Sequence, residues 1–177
     1  LELIIDLKAE PKRLFDRGDY SRCQHFRRGW ISGAHSKFIV IEAAPNSSMI
    51  GIHFKPGGAF PFFGFPMTEL KDVVVELESI WGRLATDLRD QLIELDTPTA
   101  KFRALEEFLV RHAPRPLHAA RGIAFALREM EAAPHAQTIR SLAERLGVSH
   151  KHLVQEFGKW VGLTPKLFCR MRRFPRV

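Results

Sequence analysis

Tyrosine, cysteine and long apolar runs are scarce in this chain. The scarcity of cysteine argues against a metal site built from cysteines, and the scarcity of apolar runs argues against a membrane-spanning helix. A single tyrosine and two cysteines, Cys23 and Cys169, occur among 177 residues. The cysteines stand far apart without a metal-ligand spacing, which indicates two reduced thiols in a cytosolic protein. No apolar run approaches the roughly 18–20 residues of a membrane-spanning helix, and no signal-peptide pattern opens the chain. We therefore expect a cytoplasmic protein without a membrane partner.

Acidic residues are scarce in the last quarter of the chain. Residues 1–134 carry 18 Lys and Arg against 18 Asp and Glu, which cancel. Residues 135–177 carry nine cationic side chains and only Glu144 and Glu156 as acids, so the whole net charge of +7 lies there. This asymmetry favours a polyanionic partner, and a solvated basic surface without a partner is the alternative.

The first 56 residues predict strands. Residues 1–7 are short and apolar, residues 37–42 are rich in Ile and Val, and residues 49–55 alternate between apolar and polar. Runs of this length and alternation are typical of half-buried strands. An aromatic stretch at 59–66 follows the last of them.

After residue 76 the apolar period becomes helical. Apolar residues from Leu77 to Leu95 recur at spacings of three and four, which predicts an amphipathic helix. Thr97 and Pro98 then form a helix start, with Thr as N-cap and Pro in the first helical position. A proline-rich break at 114–116 predicts a domain boundary. We therefore assign residues 1–113 to an N-terminal domain and 114–177 to a helical domain, with its first helix from about residue 117 to 131.

Residues 138–161 predict two short helices joined by a tight turn. Thr138 is the N-cap of the first helix, and Gly147 ends it as a left-handed residue. Ser149 is the N-cap of the second helix. Its inward stripe consists of Leu153, Phe157 and Val161. Two short helices with a glycine-containing turn predict a helix-turn-helix.

The second of these helices presents a polar, cationic outer face. Lys151, Gln155 and Gly158 share this face by their spacing, and Val154 borders it. A major groove accepts an α-helix, in which Lys recognises guanine, Gln recognises adenine and Val touches a thymine methyl. Gly158 is expected to leave room for the DNA backbone, and the capped N-terminus suits a phosphate. The predicted DNA contacts are Ser149, His150, Lys151, His152, Val154, Gln155, Lys159 and Arg173. The alternative is an ordinary surface on a packed helical pair.

The run from Leu142 to Phe174 resembles the AraC/XylS family of bacterial transcription regulators. The shared signature is LA-x3-G-x-S-x3-L-x3-F-x4-GLTP-x2-F-x4-RF. The resemblance implies two helix-turn-helix units that read successive major-groove segments of double-stranded DNA. It places Lys151, Val154 and Gln155 in base-facing positions and makes residues 164–174 the connecting helix.

Two departures from the family pattern affect the expectation. Gln155 stands where such proteins often have Arg, which implies a different base preference. The second unit is absent before Val177, and the chain opens on Leu1 rather than Met. We therefore expect a truncated regulator with fewer phosphate contacts, whose affinity and salt dependence are both reduced.

Three stretches in residues 1–112 are GWISG at 29–33, IGIHFKPGGA at 50–59 and IWG at 80–82. Through them, this part of the chain more loosely resembles the sensor half of some members of the family. The resemblance implies an α+β chain: a β-rich, partially cupin-like domain with helices, followed by an all-α helix-turn-helix domain. It implies binding of a small effector, pairing into a homodimer, or both. The candidate pocket residues are Trp30, His35, Phe38, His53, Phe60, Phe62 and Phe63, and the alternative places most of these phenylalanines in the core. The Leu77–Leu95 stripe is more typical of a core than of a dimer seam.

Two alternatives to DNA binding stay open. Cupin-like folds host metal enzymes, and His35, Glu42 and His53 are candidate ligands, but no His-x-His pair accompanies them. We expect no catalytic residues, no metal and no cofactor. The second alternative is a sensor or interaction protein without autonomous DNA binding.

Overall fold

The computed structural model describes residues 1–8, 10–42, 47–118, 120–133 and 138–173. Over these residues the fold is mixed α+β, as expected. The strands are Glu2–Asp6 (β1), Lys12–Phe15 (β2), Cys23–Phe26 (β3), Gly29–Ser32 (β4), Val40–Ile41 (β5), Met49–His53 (β6) and Val74–Glu76 (β7). The α-helices are Leu77–Trp81 (α1), Arg83–Glu94 (α2), Pro98–His112 (α3), Arg121–Ala132 (α4), Ile139–Arg145 (α5), His150–Val161 (α6) and Pro165–Arg172 (α7).

The chain divides into two compact units. The first, which we call the sheet unit, contains residues 1–53 and 72–112; the second, the helical unit, contains residues 54–71 and 113–177. The boundary at 112/113 lies one residue from the predicted one. Residues 54–71, which the sequence analysis assigned to the N-terminal domain, pack within the helical unit. None of the helices in the described ranges has the length and apolarity that a bilayer crossing requires.

Two antiparallel sheets form the β part of the sheet unit. The first has the order β6-β1-β4-β7, and the second has the order β3-β2-β5. In the first sheet Leu3 pairs with Ile31 on one side and with Ile52 on the other. Leu3 and Ile31 are fully buried, so the apolar alternation of these strands forms the core of the unit.

A buried ion pair joins β1 to β2. Lys12 Nζ lies 3.3 Å from Asp6 Oδ2, and both side chains are almost completely excluded from solvent. Arg89 Nε on α2 donates to the Asp6 carbonyl oxygen at 2.7 Å. Removal of one partner of such a pair leaves an uncompensated buried charge. The ion pair therefore holds the end of β1 to the start of β2, and the Arg89 hydrogen bond holds the end of β1 to α2.

The stripe predicted from Leu77 to Leu95 forms two helices rather than one. Gly82 separates α1 from α2 with φ +57° and ψ −135°, a conformation that residues with a Cβ rarely adopt. Leu77, Leu88 and Leu92 are buried. The stripe therefore packs mainly in the core of the sheet unit.

Three helices of the helical unit begin at the predicted caps. The hydroxyls of Thr138, Ser149 and Thr164 each accept a hydrogen bond from the N–H three residues later, at 3.1, 3.1 and 3.3 Å. Gly147 and Gly162 have φ of +66° and +83°, as expected for left-handed helix ends. A helix, α7, is observed within the predicted range 164–174, and Phe174 lies outside the described residues.

Candidate functional site

Helices α5 and α6 are joined by a tight turn whose geometry follows from three adjacent residues. The N–H of Gly147 donates to Glu144 O, and the N–H of Val148 donates to Ala143 O, both at 3.0 Å. Ser149 then starts α6 as its N-cap. On the inner side of the pair, the buried residues are Leu142, Ala143, Leu153, Phe157 and Val161. The inward stripe predicted from the sequence is thus confirmed.

The opposite side of α6 is open to solvent. Ser149, His150, Lys151, His152 and Gln155 are exposed, and Val154 is half-buried. Within the described part of the chain, Lys151 forms no ion pair. The side chains that the sequence analysis placed on the outer face of α6 therefore lie together in the first two turns of one capped helix.

Gly158 does not belong to this open side, contrary to the sequence expectation. It is buried, and a Cβ at this position would lie 3.2 Å from Thr68 Cγ2. The absence of a side chain thus allows close packing inside the helical unit, not approach of a DNA backbone. The charge of Lys159 is also engaged within the protein. Its Nζ lies 3.3 Å from Glu156 Oε1 and 5.6 Å from the centroid of the Phe60 ring.

The basic charge of the last quarter is divided between paired and unpaired groups. Arg145 pairs with Glu129 at 2.6 Å, and Arg172 pairs with Glu131 at 2.9 Å. Arg173 is exposed at the end of α7. Within the described ranges, the exposed cations without an ion pair in this region are Arg140, Lys151, Lys166 and Arg170. These four groups are available to an anionic partner.

A cavity of about 390 Å³ lies within the sheet unit. Its walls come from β2, β3, the loop after β4 and residues 72–74. Two of the candidate pocket residues, His35 and Phe38, line it, together with Phe15, Arg17 and Val73. Phe38 is 67% exposed, so a large apolar side chain borders an open volume. Cavities of ~300–1000 Å³ with apolar walls and a few polar groups are typical of small-molecule sites.

His35 is a titratable group of this cavity whose pKa is shifted by its environment. Its Nε2 is hydrogen bonded to Ser32 Oγ at 2.9 Å. Burial, the largest effect, lowers the pKa of His35, and the nearby Asp72 carboxylate opposes this shift. The fold therefore favours the neutral imidazole, which has one donor and one acceptor nitrogen.

The remaining candidate pocket residues do not line this cavity. They are Trp30, His53, Phe60, Phe62 and Phe63. Trp30 packs against Phe26 with ring centroids 6.2 Å apart. His53 is exposed, with Nδ1 3.0 Å from Glu2 Oε1. The three phenylalanines belong to the helical unit.

The three candidate metal ligands occupy separate local interactions. Besides the His35–Ser32 and His53–Glu2 contacts, Glu42 accepts from Arg13 Nε at 2.9 Å and Nη2 at 2.6 Å. This bidentate contact lowers the pKa of Glu42. In the part of the chain that the structure describes, no three His, Cys, Asp or Glu side chains converge on one point.

Sequence reasoning missed most of the cavity wall. Arg17 and Arg22 lie between β2 and β3 and were not among the candidate pocket residues. The available signal was the cluster of charges at 16–22 between two short strands. Cys23 also lines the cavity, and Cys169 is buried on α7, where desolvation raises its pKa; both are free thiols.

The comparisons with known proteins bear on the first part of the chain. A family model described as a domain of unknown function (DUF6597) matches residues 1–76. This range, less than half of the chain, contains the seven strands β1–β7 of the described residues, together with residues 54–71. No curated protein matches the chain, and no solved structure matches it.

Proposed function

We propose that this protein is a sequence-specific DNA-binding transcription regulator of the AraC/XylS type. In this proposal α5 and α6 form a helix-turn-helix, and α6 is the recognition helix. The observation that carries it is that Lys151 and Gln155 are exposed, and Val154 is half-buried, on one side of a capped helix whose other side is buried. An α-helix of this kind fits a major groove of ~12 Å width.

The proposal also includes a DNA phosphate bound at the start of α6. Ser149 is exposed and uses its hydroxyl to cap the helix through the His152 N–H. The other N–H groups of the first turn carry partial positive charge and point away from the helix. A DNA phosphate at this end would fix the register of α6 in the groove.

The unpaired cations of the helical unit support an electrostatic contribution. Arg140, Lys166 and Arg170 are exposed and form no ion pair within the described residues. Each phosphate that a cation neutralises adds about 0.9 to the slope of log K against log salt concentration. Binding is therefore expected to weaken as the salt concentration rises.

The experiment that tests the proposal is a selection from a random double-stranded DNA library with the whole 177-residue chain. The enriched duplex is then titrated by fluorescence anisotropy at several salt concentrations. We expect Lys151→Ala to weaken binding by ~10–100-fold, the equivalent of ~1–3 kcal/mol. Arg103→Ala, which removes an exposed charge on α3 of the sheet unit, is the matched control.

The outcomes distinguish sequence-specific DNA binding from the absence of DNA binding and from nonspecific charge attraction. Enrichment of a motif, with loss in Lys151→Ala and not in Arg103→Ala, supports the proposal. Failure to enrich any motif at low salt would contradict it and favour a sensor or interaction protein. Equal effects of the two variants would mean that the contact is nonspecific charge attraction.

We propose further that the sheet unit is the partially cupin-like sensor and binds a small effector in its cavity. The walls combine exposed apolar side chains, such as Phe38 and Val73, with the cationic Arg17 and with His35, whose pKa is lowered by burial. Asp16 and Asp72 accept bonds from the Gly18 N–H and the Ser36 hydroxyl. This chemistry fits an apolar molecule with one anionic group.

An apolar anionic dye, anilinonaphthalene sulfonate, is a suitable probe. We expect its fluorescence to rise on binding and the response to fall in both Phe38→Ser and Arg17→Ala. Phe102→Ser, which changes a half-exposed phenylalanine on α3 outside the cavity, is the control. Dye binding that neither cavity variant changes would mean that the effector binds elsewhere or that the protein binds no effector.

A further inference from the structure

Residues 54–71, which we call the aromatic segment, leave the sheet unit after β6 and return to it before β7. In between, the segment forms two short 3-10 helices, Phe60–Phe62 and Met67–Leu70. Both pack against α6 in the helical unit. A stretch of chain that lies between two strands in the sequence thus contributes the support of the helix that we propose reads DNA.

The first close contact is between Thr68 and Gly158. A Cβ on Gly158 would lie 3.2 Å from Thr68 Cγ2, which is tighter than an ordinary contact between carbon atoms. Thr68 is itself exposed, so its methyl group is not required to fill the core. The lack of a side chain at residue 158 therefore allows the second 3-10 helix to approach α6 closely.

The second contact lies at the end of α6. Gly162 ends this helix, and its absent Cβ would lie 2.9 Å from the backbone oxygen of Met67. Met67 is fully buried. Two glycines four residues apart, one turn of helix, thus face consecutive residues of the aromatic segment.

The third contact is a cluster around the Phe60 ring. The ring centroids of Trp160 and Phe60 lie 4.5 Å apart, and the guanidinium carbon of Arg115 lies 4.7 Å from the Phe60 centroid. Arg115 also donates to Gly64 O at 2.9 Å. Aromatic pairs and cations over rings both stabilise packing beyond simple burial. The cluster joins α6, the aromatic segment and the chain before α4.

We infer that the aromatic segment is a positioning element for α6, with Thr68 and Phe60 as positioning residues for DNA recognition. This inference rests on the proposed function. Gly158, Trp160 and Gly162 contact the segment, whereas Lys151 and Gln155 lie on the open side. The segment therefore fixes the rotation of α6 about its axis.

The rotation matters because two side chains must meet base edges at the same time. Lys151 and Gln155 lie four residues apart on one face, and a turn of the helix about its axis displaces both together. Groups that are held in the productive geometry bind without a further ordering penalty. A loosened support should therefore weaken specific binding more than nonspecific binding.

The test is a compensatory pair in the full chain. Gly158→Ala places a methyl against Thr68 Cγ2, and Thr68→Ser removes that methyl while it keeps the hydroxyl. We expect Gly158→Ala to weaken binding to the selected duplex by about tenfold, which corresponds to ~1.4 kcal/mol. Thr68→Ser alone should bind within about twofold of wild type, and Thr68→Ser/Gly158→Ala should return most of the lost affinity.

A matched control keeps the steric conflict. Thr68→Val retains a methyl toward residue 158, so Thr68→Val/Gly158→Ala should not recover affinity. Binding to a random duplex should change little in all variants. Recovery in both double variants, or wild-type affinity in Gly158→Ala, would overturn the inference.

A second variant keeps the test decisive if Gly158→Ala fails to fold. Phe60→Leu keeps apolar bulk but removes the ring that contacts Trp160, and we expect a similar loss of specific affinity. Phe125→Leu removes another ring of the helical unit, the one under Arg145, and serves as the stability control. Equal affinity of the two variants would overturn the inference. If the wild-type chain enriches no duplex, the proposed function fails instead.

Discussion

The backbone oxygen of Met67 lies 2.9 Å from the point that a Cβ atom would occupy on Gly162. Gly162 has φ +83°, which residues with a Cβ adopt at a cost of about 1–2 kcal/mol. Gly162→Ala therefore combines backbone strain with a steric conflict, and overpacking adds ~1–3 kcal/mol. We expect a loss of ~2–5 kcal/mol in the free energy of unfolding, measured by urea denaturation.

Gly147→Ala is the matched control for this prediction. Gly147 also has positive φ, +66°, but no neighbouring heavy atom lies within 4 Å of its would-be Cβ. It should show the strain of about 1–2 kcal/mol alone. If the two variants were equally destabilised, the contact between Met67 and Gly162 would have no energetic weight.

The helix starts and ends of the helical unit were predictable because capping is local. Thr138, Ser149 and Thr164 each bond an N–H three residues away, and Gly147 supplies a positive φ at the predicted place. These signals need only a window of four or five residues. The sequence therefore predicts α5, α6 and the start of α7 correctly.

The features that depend on distant residues were not predictable in this way. The apolar period from Leu77 to Leu95 does not show the break at Gly82. The role of Gly158 depends on Thr68, ninety residues earlier in the chain. Likewise, the walls of the cavity come from four separate stretches, of which only His35 and Phe38 were singled out. Periodicity reports which face is apolar and not which element covers it.

Substitutions of Ser149 separate helix capping from DNA binding. Ser149→Ala removes the acceptor for the His152 N–H and should lower the free energy of unfolding by about 1 kcal/mol. Ser149→Asp keeps an equally good cap and a favourable charge at the helix start. Its stability in urea should equal that of wild type within a few tenths of a kcal/mol.

The DNA affinity of Ser149→Asp should nevertheless fall. A carboxylate at this position repels the phosphate that we place at the start of α6. Anisotropy titration with the selected duplex is the measurement. An affinity equal to wild type, with stability retained, would exclude a phosphate at this end.

Gln155 is expected to specify one base pair. Its side chain is exposed on the outer side of α6, and a Gln amide makes a paired contact with adenine. Gln155→Ala should lose ~1–3 kcal/mol at one position of the selected duplex and leave the other positions unchanged. Competition against all single-base variants of that duplex measures this.

The control for Gln155 is Gln91→Ala on α2, which removes another exposed amide. It should leave the whole base-preference profile as in wild type. A uniform loss at every position in Gln155→Ala would indicate a phosphate contact or a structural effect rather than base reading.

The stability of the protein should fall on acidification through pH 6.5 partly because of His35. Burial lowers the pKa of His35 in the folded state, whereas the unfolded chain has the ordinary value of about 6.5. Below about pH 6.5 the unfolded state binds more protons, so the free energy of unfolding decreases as the pH falls. The stabilising contribution is therefore complete above the unfolded pKa and is lost as the pH falls toward and through the folded pKa.

His35→Gln tests this contribution by removing the titration while keeping polar groups near Ser32. Urea denaturation at pH 7.5 and at pH 5.5 should show a smaller difference between the two pH values in His35→Gln than in wild type. Phe38→Leu changes the same cavity wall without a titratable group, and it should keep the wild-type difference. The same pH dependence in His35→Gln as in wild type would mean that other groups cause the loss of stability, and that the imidazole is not held neutral by the fold.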